Sequence, residues 1–306
     1  MTQRFARVMA AAAVVMMTVA CGAPKAPTEP SPALPSIGGG TAQVGGRDVT
    51  VYVPDSYDPA RPAPLVVALH GYTSDAKELE TYLRLIPESQ RTGFVYAYPD
   101  GSADAAGDRF WNATDACCAF SSRAPDDSRH LSELITTMQA RYRIDPARVY
   151  LIGHSNGGFM TFRMACDHAD QIAAIVSLNG AGWNDAARCE PSGPVSVLAI
   201  HSSADETVAF AGGDINGVPY PSADTTVAQW VGYDRCSELG RDGARLDLVP
   251  GLPGAETSVR IYQRGCEGAS TVQAWTIEGG DHVPRWGPDF APAVTDFLLS
   301  RTKAGR

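Results

Sequence analysis

A serine between glycines, at a predicted junction of strand and helix, is the first feature that could do chemistry. Residues 153–158 read Gly-His-Ser-Asn-Gly-Gly and place Ser155 in a G-x-S-x-G pattern. An apolar strand pattern at 149–152 precedes them and a helical pattern at 157–168 follows. In this context a sharp turn lifts the serine hydroxyl clear of the sheet, and the helix start offers backbone N–H groups to an anion. Ser155 is therefore predicted to be a nucleophile.

A serine nucleophile needs a general base, and a histidine is the usual one. Of the six histidines, His282 stands in a loop between a predicted strand at 272–277 and the final predicted helix. A loop at this position can bring an imidazole to Ser155. His282 is therefore the predicted base.

An acid must hold the base in the correct orientation, and α/β-hydrolases place it between the serine and the histidine in the chain. Asp205 follows the predicted buried strand at 195–200 and is the predicted acid. Glu206 and Asp281 are the alternatives, although each is more typical of a solvated loop carboxylate.

The tetrahedral intermediate of acyl transfer needs two N–H donors for its oxyanion. The amide that follows the nucleophile is that of Asn156, and the loop after the predicted strand at 65–69 offers the amide of Tyr72. The Tyr72 ring is also expected to line the acyl pocket, or else to be a surface aromatic.

Aromatic side chains in loops after strands could hold a phenyl ring or a flat polymer segment. We expect substrate contacts from three tryptophans on the side where the serine turn opens: Trp111, Trp183 and Trp286. The alternative for each is that it packs a long loop onto the domain.

The predicted elements around these residues alternate between strand and helix. Strand patterns, mostly continuous apolar runs, lie at 49–53, 65–69, 94–98, 149–152, 172–178 and 195–200. Helical patterns between them lie at 76–89, 126–142 and 157–168. Beyond these we expect a helix at 222–233, strands at 245–249, 258–262 and 272–277, and a helix at 289–302. The alternation predicts one α/β domain over 41–303, with a mainly parallel central sheet and helices on both faces.

The first 40 residues are unlike the rest and indicate export. Residues 1–20 have a basic start and an apolar stretch at 8–20, which would span only about 20 Å as a helix and cannot cross a bilayer. They are predicted to be a signal peptide that ends before Cys21, a site for lipid in a bacterial lipoprotein. The alternative is an ordinary secretory signal. Residues 21–40 are rich in proline and glycine and are predicted to be a tether.

Short motifs along the chain, including the serine turn, form a recognisable set. They are Leu69-His70-Gly71, Trp111-Asn112 with Cys117-Cys118, Asp126-Asp127, 145–150, 153–158, Ala165-Cys166, Asp205 and 279–282. Together they resemble the polyhydroxybutyrate depolymerase and feruloyl esterase group of α/β-hydrolases, which includes lipoprotein-type esterases of actinobacteria. The resemblance covers nearly all of 45–300 and implies the α/β-hydrolase fold and hydrolysis of carboxylic esters.

The sequence departs from that group at two places. A small residue usually precedes the catalytic histidine and Trp-Pro soon follows it, whereas this chain has Asp281 and then Val-Pro-Arg-Trp at 283–286. The acid loop usually reads His-Gly-Thr-Ala-Asp, whereas residues 201–205 read His-Ser-Ser-Ala-Asp. Ser155, His282 and Asp205, the predicted catalytic triad, are present despite both changes. The changes are expected to affect the rim of the substrate site.

Six cysteines follow Cys21, and an even number in an exported chain suggests disulfides. The resemblance and loop position favour Cys236–Cys266, and short separation favours Cys166–Cys189. Cys117 and Cys118 then form a vicinal bridge, or one of them pairs with Cys166. Six reduced thiols are the remaining alternative.

We therefore expect a secreted or lipid-anchored serine esterase at the outer face of the cytoplasmic membrane. Its expected substrates are hydroxycinnamoyl or acetyl esters of polysaccharides, or polyesters of the polyhydroxyalkanoate type. A cell-envelope acyltransferase with the same triad and a non-catalytic surface lipoprotein are the alternatives.

Composition limits the partners. The net charge of −9 argues against binding to a phosphate backbone, so no nucleic acid is expected. No metal site and no cofactor are expected, the only membrane contact is the N-terminal lipid, and the protein is expected to be a monomer.

Overall fold

The computed structural model describes residues 37–120 and 124–303. The predicted signal peptide, Cys21 and most of the predicted tether lie outside these residues. Within the two described ranges, no helix has both the length and the apolar character needed to cross a bilayer.

The strands of the described residues are β1 (Gly38–Val44), β2 (Arg47–Val53), β3 (Ala63–Leu69), β4 (Val95–Pro99), β5 (Ser102–Ala103), β6 (Arg109–Phe110), β7 (Ile144–His154), β8 (Ala174–Leu178), β9 (Ser196–Ser202), β10 (Gly213–Ile215), β11 (Val218–Tyr220), β12 (Arg241–Asp242), β13 (Thr257–Tyr262) and β14 (Val272–Ile277). The α-helices are α1 (Ala76–Leu83), α2 (Leu85–Thr92), α3 (Asp127–Arg141), α4 (Asn156–Asp167), α5 (Ala223–Tyr233) and α6 (Phe290–Leu299).

The described residues form one central sheet of ten strands in the order β1-β2-β4-β3-β7-β8-β9-β14-β13-β12. The six strands from β4 to β14 in this order run parallel, and antiparallel strands extend the sheet at both edges. Every residue of β3, β4 and β8 is buried, which explains their continuous apolar sequences. The predicted fold class is confirmed.

Helices cover both faces of the sheet. The side chains of Leu65, Val67 and Leu69 on β3 pack in one apolar layer, which includes residues of α3, α4 and α5. Val66 and Ala68 pack in the opposite layer, which includes residues of α1, α2 and α6. Because side chains alternate along a strand, one apolar strand supplies both layers.

The parallel order sets the position of the predicted site. Ser155 follows β7, Asp205 lies three residues beyond β9, and His282 lies five residues beyond β14. The loop that carries Tyr72 follows β3, the neighbour of β7. The carboxyl ends of parallel strands share one edge of a sheet, so these four residues reach the same edge.

The start of the domain differs from the prediction. β1 begins at Gly38 and pairs along its whole length with β2, from Gly38 opposite Val53 to Val44 opposite Arg47. Residues 38–40, predicted to belong to the tether, therefore lie in the sheet, and the predicted domain start at Thr41 is three residues too late. Strand pairing uses backbone groups, which glycine also has.

Two predicted elements are wrong in detail. The helix predicted at 76–89 is two helices, because Arg84 has a left-handed backbone with φ of 55° and the Glu80 carboxylate accepts the amides of Leu85 and Ile86. Of residues 245–249, Leu246 alone pairs with a strand, in an isolated antiparallel bridge to Thr257, and the segment is not a strand. The Glu256 carboxylate accepts the amides of the two buried residues there, Leu248 and Val249, which removes both donors from a sheet ladder.

Three disulfides join the six cysteines of the described chain: Cys117–Cys118, Cys166–Cys189 and Cys236–Cys266. These are the pairs that the sequence favoured, and neither the alternative pairing of Cys166 nor the reduced form is present. Disulfides are typical of proteins that work outside the reducing cytoplasm.

Candidate active site

Ser155 occupies a strained turn between a strand and a helix. β7 ends at His154, α4 begins at Asn156, and Ser155 between them has φ of 54° and ψ of −119°. Its amide donates to the carbonyl of Leu178 at 2.8 Å, and its carbonyl accepts the amide of Phe159 at 2.9 Å. A positive φ is uncommon for a serine, and surrounding structure must hold it. The turn is the elbow that the sequence pattern predicts.

The glycines of the motif are required by close packing around the elbow. A Cβ at Gly153 would overlap the backbone of Gly157, and a Cβ at Gly157 would overlap the carbonyl of Leu69 on β3. Strand β3, strand β7 and helix α4 therefore approach one another only because these positions lack side chains.

The predicted nucleophile, base and acid form one hydrogen-bonded chain. Ser155 Oγ lies 2.9 Å from His282 Nε2, and His282 Nδ1 lies 2.7 Å from Asp205 Oδ2. With Nδ1–H donating to the carboxylate, the lone pair of Nε2 faces the serine hydroxyl. This arrangement allows the imidazole to accept the proton of Ser155 Oγ.

The Asp205 side chain is fully buried and firmly held. Its Oδ1 accepts the amides of Thr207 and Val208, both at 2.8 Å. Burial alone would raise the pKa of Asp205. The hydrogen bonds from His282 and from these two amides lower it by more than burial raises it, so the pKa lies below its ordinary value. The carboxylate is therefore ionised at neutral pH and can stabilise a protonated His282.

The alternative acids form no hydrogen bond with the imidazole of the base in the described residues. Glu206 and Asp281 are both exposed, and Asp281 Oδ1 accepts the amide of Val283 at 3.1 Å. Among the residues that the structure describes, no hydrogen bond joins either carboxylate to His282.

The two residues whose amides are the predicted oxyanion donors lie close to Ser155. Asn156 is the first residue of α4, so its N–H has no partner within the helix. A Cβ at Gly71 would lie 3.4 Å from Ser155 Cβ, which places the loop of Tyr72 directly beside the serine. Tyr72 and Ser155 line the same cavity. The role of the two amides as donors to an oxyanion stays a prediction.

His70 holds the peptide between Gly71 and Tyr72, a contact that the sequence did not reveal. The Gly101 amide donates to His70 Nε2 at 2.8 Å, so Nδ1 carries the proton and donates to the Gly71 carbonyl at 2.7 Å. Burial lowers the pKa of His70 and keeps the ring neutral. In a trans peptide the Gly71 carbonyl and the Tyr72 N–H point in opposite directions, so His70 turns that N–H away from itself.

Trp111 is a structural residue, and its prediction as a substrate contact is wrong. Its side chain is fully buried and donates from Nε1 to the His70 carbonyl at 3.1 Å. The Asn156 side chain accepts the Trp111 amide at 2.7 Å and donates to the Trp111 carbonyl at 2.9 Å. Asn156 also donates to Cys117 Sγ at 3.4 Å, so this side chain fastens the loop of the vicinal disulfide to the elbow.

A cavity of about 320 Å³ opens onto the serine. Its lining includes Tyr72, Leu79, Tyr82, Ser155, His282 and Val283. Tyr72 takes the position predicted for a pocket residue, and the half-exposed Phe120 packs edge-on against its ring at 5.3 Å. The cavity is mainly apolar at its walls, with the hydrogen-bonded chain at one end.

Trp183 and Trp286 do not line this cavity. Trp183 is buried beneath the Arg188 guanidinium, which lies 4.6 Å from its ring centre. Trp286 stacks on Phe290 with ring centres 3.8 Å apart and borders a separate cavity of about 500 Å³. Val283 alone lines both cavities. Trp183 packs its loop onto the domain, as the alternative states. Trp286 is half-buried and lines the neighbouring cavity, so its contact with substrate stays a prediction.

A mainly parallel sheet with helices on both faces and a serine at a strand-to-helix elbow define an α/β-hydrolase. Comparisons with known proteins narrow this class. A family model described as esterase PHB depolymerase matches residues 48–229, which include Ser155 and Asp205. The chain belongs to this family, and it is a carboxylic ester hydrolase.

Individual relatives agree with the family. A putative esterase, NocK, of Nocardia uniformis subsp. tsuyamanensis is 30% identical over 252 residues, which are 78% of this chain and 71% of that protein. Feruloyl esterase B of Piromyces equi is 26% identical over 245 residues, 78% of this chain but only 42% of that protein. The structure of an acetyl xylan esterase from Aspergillus awamori has a TM-score of 0.61 at 18% identity, covers 82% of this chain and 93% of its own, and shows the same fold.

Proposed function

We propose that this protein is a serine esterase in which Ser155 forms an acyl-enzyme, His282 is the general base and acid, and Asp205 orients the imidazole. The observation that carries the proposal is the hydrogen-bonded chain from Ser155 Oγ through His282 to Asp205, at 2.9 and 2.7 Å. The serine lines a cavity of about 320 Å³, in which an ester can approach it.

In the first half of the reaction, Ser155 Oγ attacks the ester carbonyl carbon while His282 Nε2 accepts the hydroxyl proton. The ionised Asp205 stabilises the imidazolium that forms. The carbonyl oxygen becomes an oxyanion and receives hydrogen bonds from the Asn156 and Tyr72 amides. His282 then returns the proton to the leaving alkoxide oxygen, and the alcohol departs from an acylated Ser155.

In the second half, water takes the place of the alcohol. His282 Nε2 accepts a proton from the water as its oxygen attacks the acyl carbon, and the same two amides stabilise the second oxyanion. Collapse of this intermediate breaks the bond to Ser155 Oγ, which recovers its proton from His282. The carboxylic acid is released and the enzyme is regenerated.

The proposed substrates are hydroxycinnamoyl or acetyl esters of polysaccharides, or polyesters of the polyhydroxyalkanoate type. The name of the family and that of the Piromyces equi relative support these classes. The cavity volume of about 320 Å³ suits an aromatic acyl group or a short hydroxyacid segment.

A hydrolysis panel tests the chemistry and the substrate together. Wild type and Ser155→Ala are assayed on feruloylated and acetylated xylan fragments, on hydroxybutyrate oligomers and on a simple aryl ester, and wild type is treated with a serine-directed phosphonate. The proposal expects hydrolysis of at least one class, its loss in Ser155→Ala, and one phosphonate on Ser155. Equal hydrolysis by the variant, or labelling elsewhere, would show that another group is the nucleophile.

We also propose that the enzyme is exported and held by lipid on Cys21, with residues 1–20 removed. The apolar stretch, Cys21 and the proline-rich residues that follow support this, and the three disulfides of the described domain suit an oxidising compartment. Mass spectrometry of the mature protein should find a diacylglyceryl Cys21 at the N-terminus. An unmodified Cys21, or a different first residue, contradicts the lipid anchor.

A further inference from the structure

We propose that Asn179 is a positioning residue for the base, because its one amide group joins the loop of the acid to the loop of the base. This inference rests on the proposed roles of Ser155, His282 and Asp205. It concerns a residue that lies outside the G-x-S-x-G motif and does not line the serine cavity.

Asn179 lies directly after β8 and is 1% exposed. Its Oδ1 accepts the amide of Ser202 at 2.7 Å, at the end of β9 and three residues before Asp205. Its Nδ2 donates to the backbone carbonyl of His282 at 2.9 Å. A single planar amide therefore sets the separation between the two loops that must bring Asp205 and His282 together.

The His282 carbonyl has a second donor. His154 Nε2 lies 2.8 Å from it and donates as the neutral ring, because burial and the adjacent His282 lower the pKa of His154 to about 4. A carbonyl oxygen has two lone pairs, and both are used here. The backbone of the base is thus held from the elbow through His154 and from β8 through Asn179.

The other contacts between the two loops lie before His282 in the chain. The Ala204 amide donates to the Gly280 carbonyl at 3.0 Å, and the Gly279 amide donates to Ser203 Oγ at 2.9 Å. They align the start of the loop, whereas Asn179 and His154 act on the peptide of His282 itself. A displacement of about 1 Å at a reacting group can cost about 10²-fold in rate, so loss of this anchor should slow the chemical steps.

Two substitutions remove the side-chain amide of Asn179 while keeping its backbone conformation. Asn179 has φ of 49°, a left-handed conformation that glycine adopts freely, so Asn179→Gly keeps the turn and removes the amide. Asn179→Asp keeps an acceptor for the Ser202 amide but sets a carboxylate oxygen against the His282 carbonyl. The matched control is Asn216, which is exposed, has φ of 53° in the turn between β10 and β11, and receives the same two substitutions.

Steady-state kinetics of folded protein, isolated by size exclusion and checked by circular dichroism, test the proposal. Both Asn179 variants should lose about 10²-fold in kcat while KM changes by less than about threefold, because the substrate cavity is untouched. Asn179→Asp should also shift the acid limb of the kcat/KM profile to higher pH, since a carboxylate near His282 stabilises its protonated form. Both Asn216 variants should match wild type. If only one Asn179 variant folds, that variant decides the test.

A cycle with the base shows whether Asn179 acts through it. In a His282→Ala background, Asn179→Gly should cause no further loss of rate, because the group it positions is absent. Wild-type kcat in Asn179→Gly, or an equal additional loss in the His282→Ala background, would overturn the inference while leaving the triad in place. Full activity of Ser155→Ala and His282→Ala would instead overturn the proposed function, and the role of Asn179 with it.

Discussion

Asp234 should make the protein less stable at neutral and alkaline pH than at acid pH. Its side chain is fully buried at the end of α5, and Oδ1 accepts the Val195 amide at 3.2 Å. Burial, with a smaller contribution from Glu267, raises the pKa of Asp234 from 3.8 to about 7, although the Ser270 hydroxyl, the Val195 amide and Lys303 oppose the shift. We therefore expect that Asp234→Asn stabilises the fold as the pH rises.

The sign and size of this effect follow from proton linkage. Between pH 3.8 and about 7 the folded carboxyl holds a proton that the unfolded chain has released, so stability falls as the pH rises. Each pH unit in this window is equivalent to about 1.4 kcal/mol, which gives a loss of about 4 kcal/mol once Asp234 is ionised in both states. Asparagine keeps an acceptor for the Val195 amide and does not titrate, so it escapes this loss.

Urea unfolding of wild type and Asp234→Asn with disulfides intact, at several values from pH 4.5 to 8.5, measures the difference. The free energy of unfolding of the variant, relative to wild type, should rise by about 3 kcal/mol across this range. The exposed Asp247→Asn is the matched control and should show no such trend. A constant difference between wild type and Asp234→Asn at every pH would refute the reasoning.

Two further predictions concern packing and covalent structure. Replacing Cys236 and Cys266 by serine opens a bridge between residues separated by 30 positions and should lower the free energy of unfolding by about 3.6 kcal/mol. Urea unfolding measures the loss, and unchanged stability contradicts it. Gly157→Ala should abolish esterase activity, because its Cβ would overlap the Leu69 carbonyl, whereas Gly193→Ala, where a Cβ meets no atom within 4 Å, should keep full activity. An active Gly157→Ala enzyme would contradict the packing explanation of the motif.

The sheet and the residues at its edge could be predicted from sequence because each follows a recognisable strand. The apolar runs that became β7, β9 and β14 precede Ser155, Asp205 and His282, and parallel strands bring the ends of such runs to one edge. The position of each residue after a core strand favoured His282 and Asp205 over their neighbours, and the structure places their side chains 2.7 Å apart.

The remaining features depend on contacts that no local pattern shows. The amphipathic pattern at 76–89 runs through Arg84, but the Glu80 side chain captures the amides that follow and ends the first helix. The residues around Trp111 have the composition of a surface loop. Asn156, 45 residues away in the chain, nevertheless binds the Trp111 backbone, and the Trp111 side chain is fully buried. Asn179 reaches across 103 residues to His282. The Glu80 contact is local but depends on its side-chain conformation, and the other two are tertiary contacts that override local propensity.

The measurement that tests the central claim most directly is kcat/KM of Asp205→Asn against Asp281→Asn. Both are isosteric amides near His282, but only Asp205 bonds to its imidazole, at 2.7 Å. Asp205→Asn should favour the wrong tautomer and lose about 10⁴-fold, as in other enzymes with this triad, while Asp281→Asn should stay within about threefold of wild type because an exposed rim carboxylate contributes little. A crippled Asp281→Asn enzyme beside an active Asp205→Asn enzyme would contradict the assignment of the acid and the mechanism built on it.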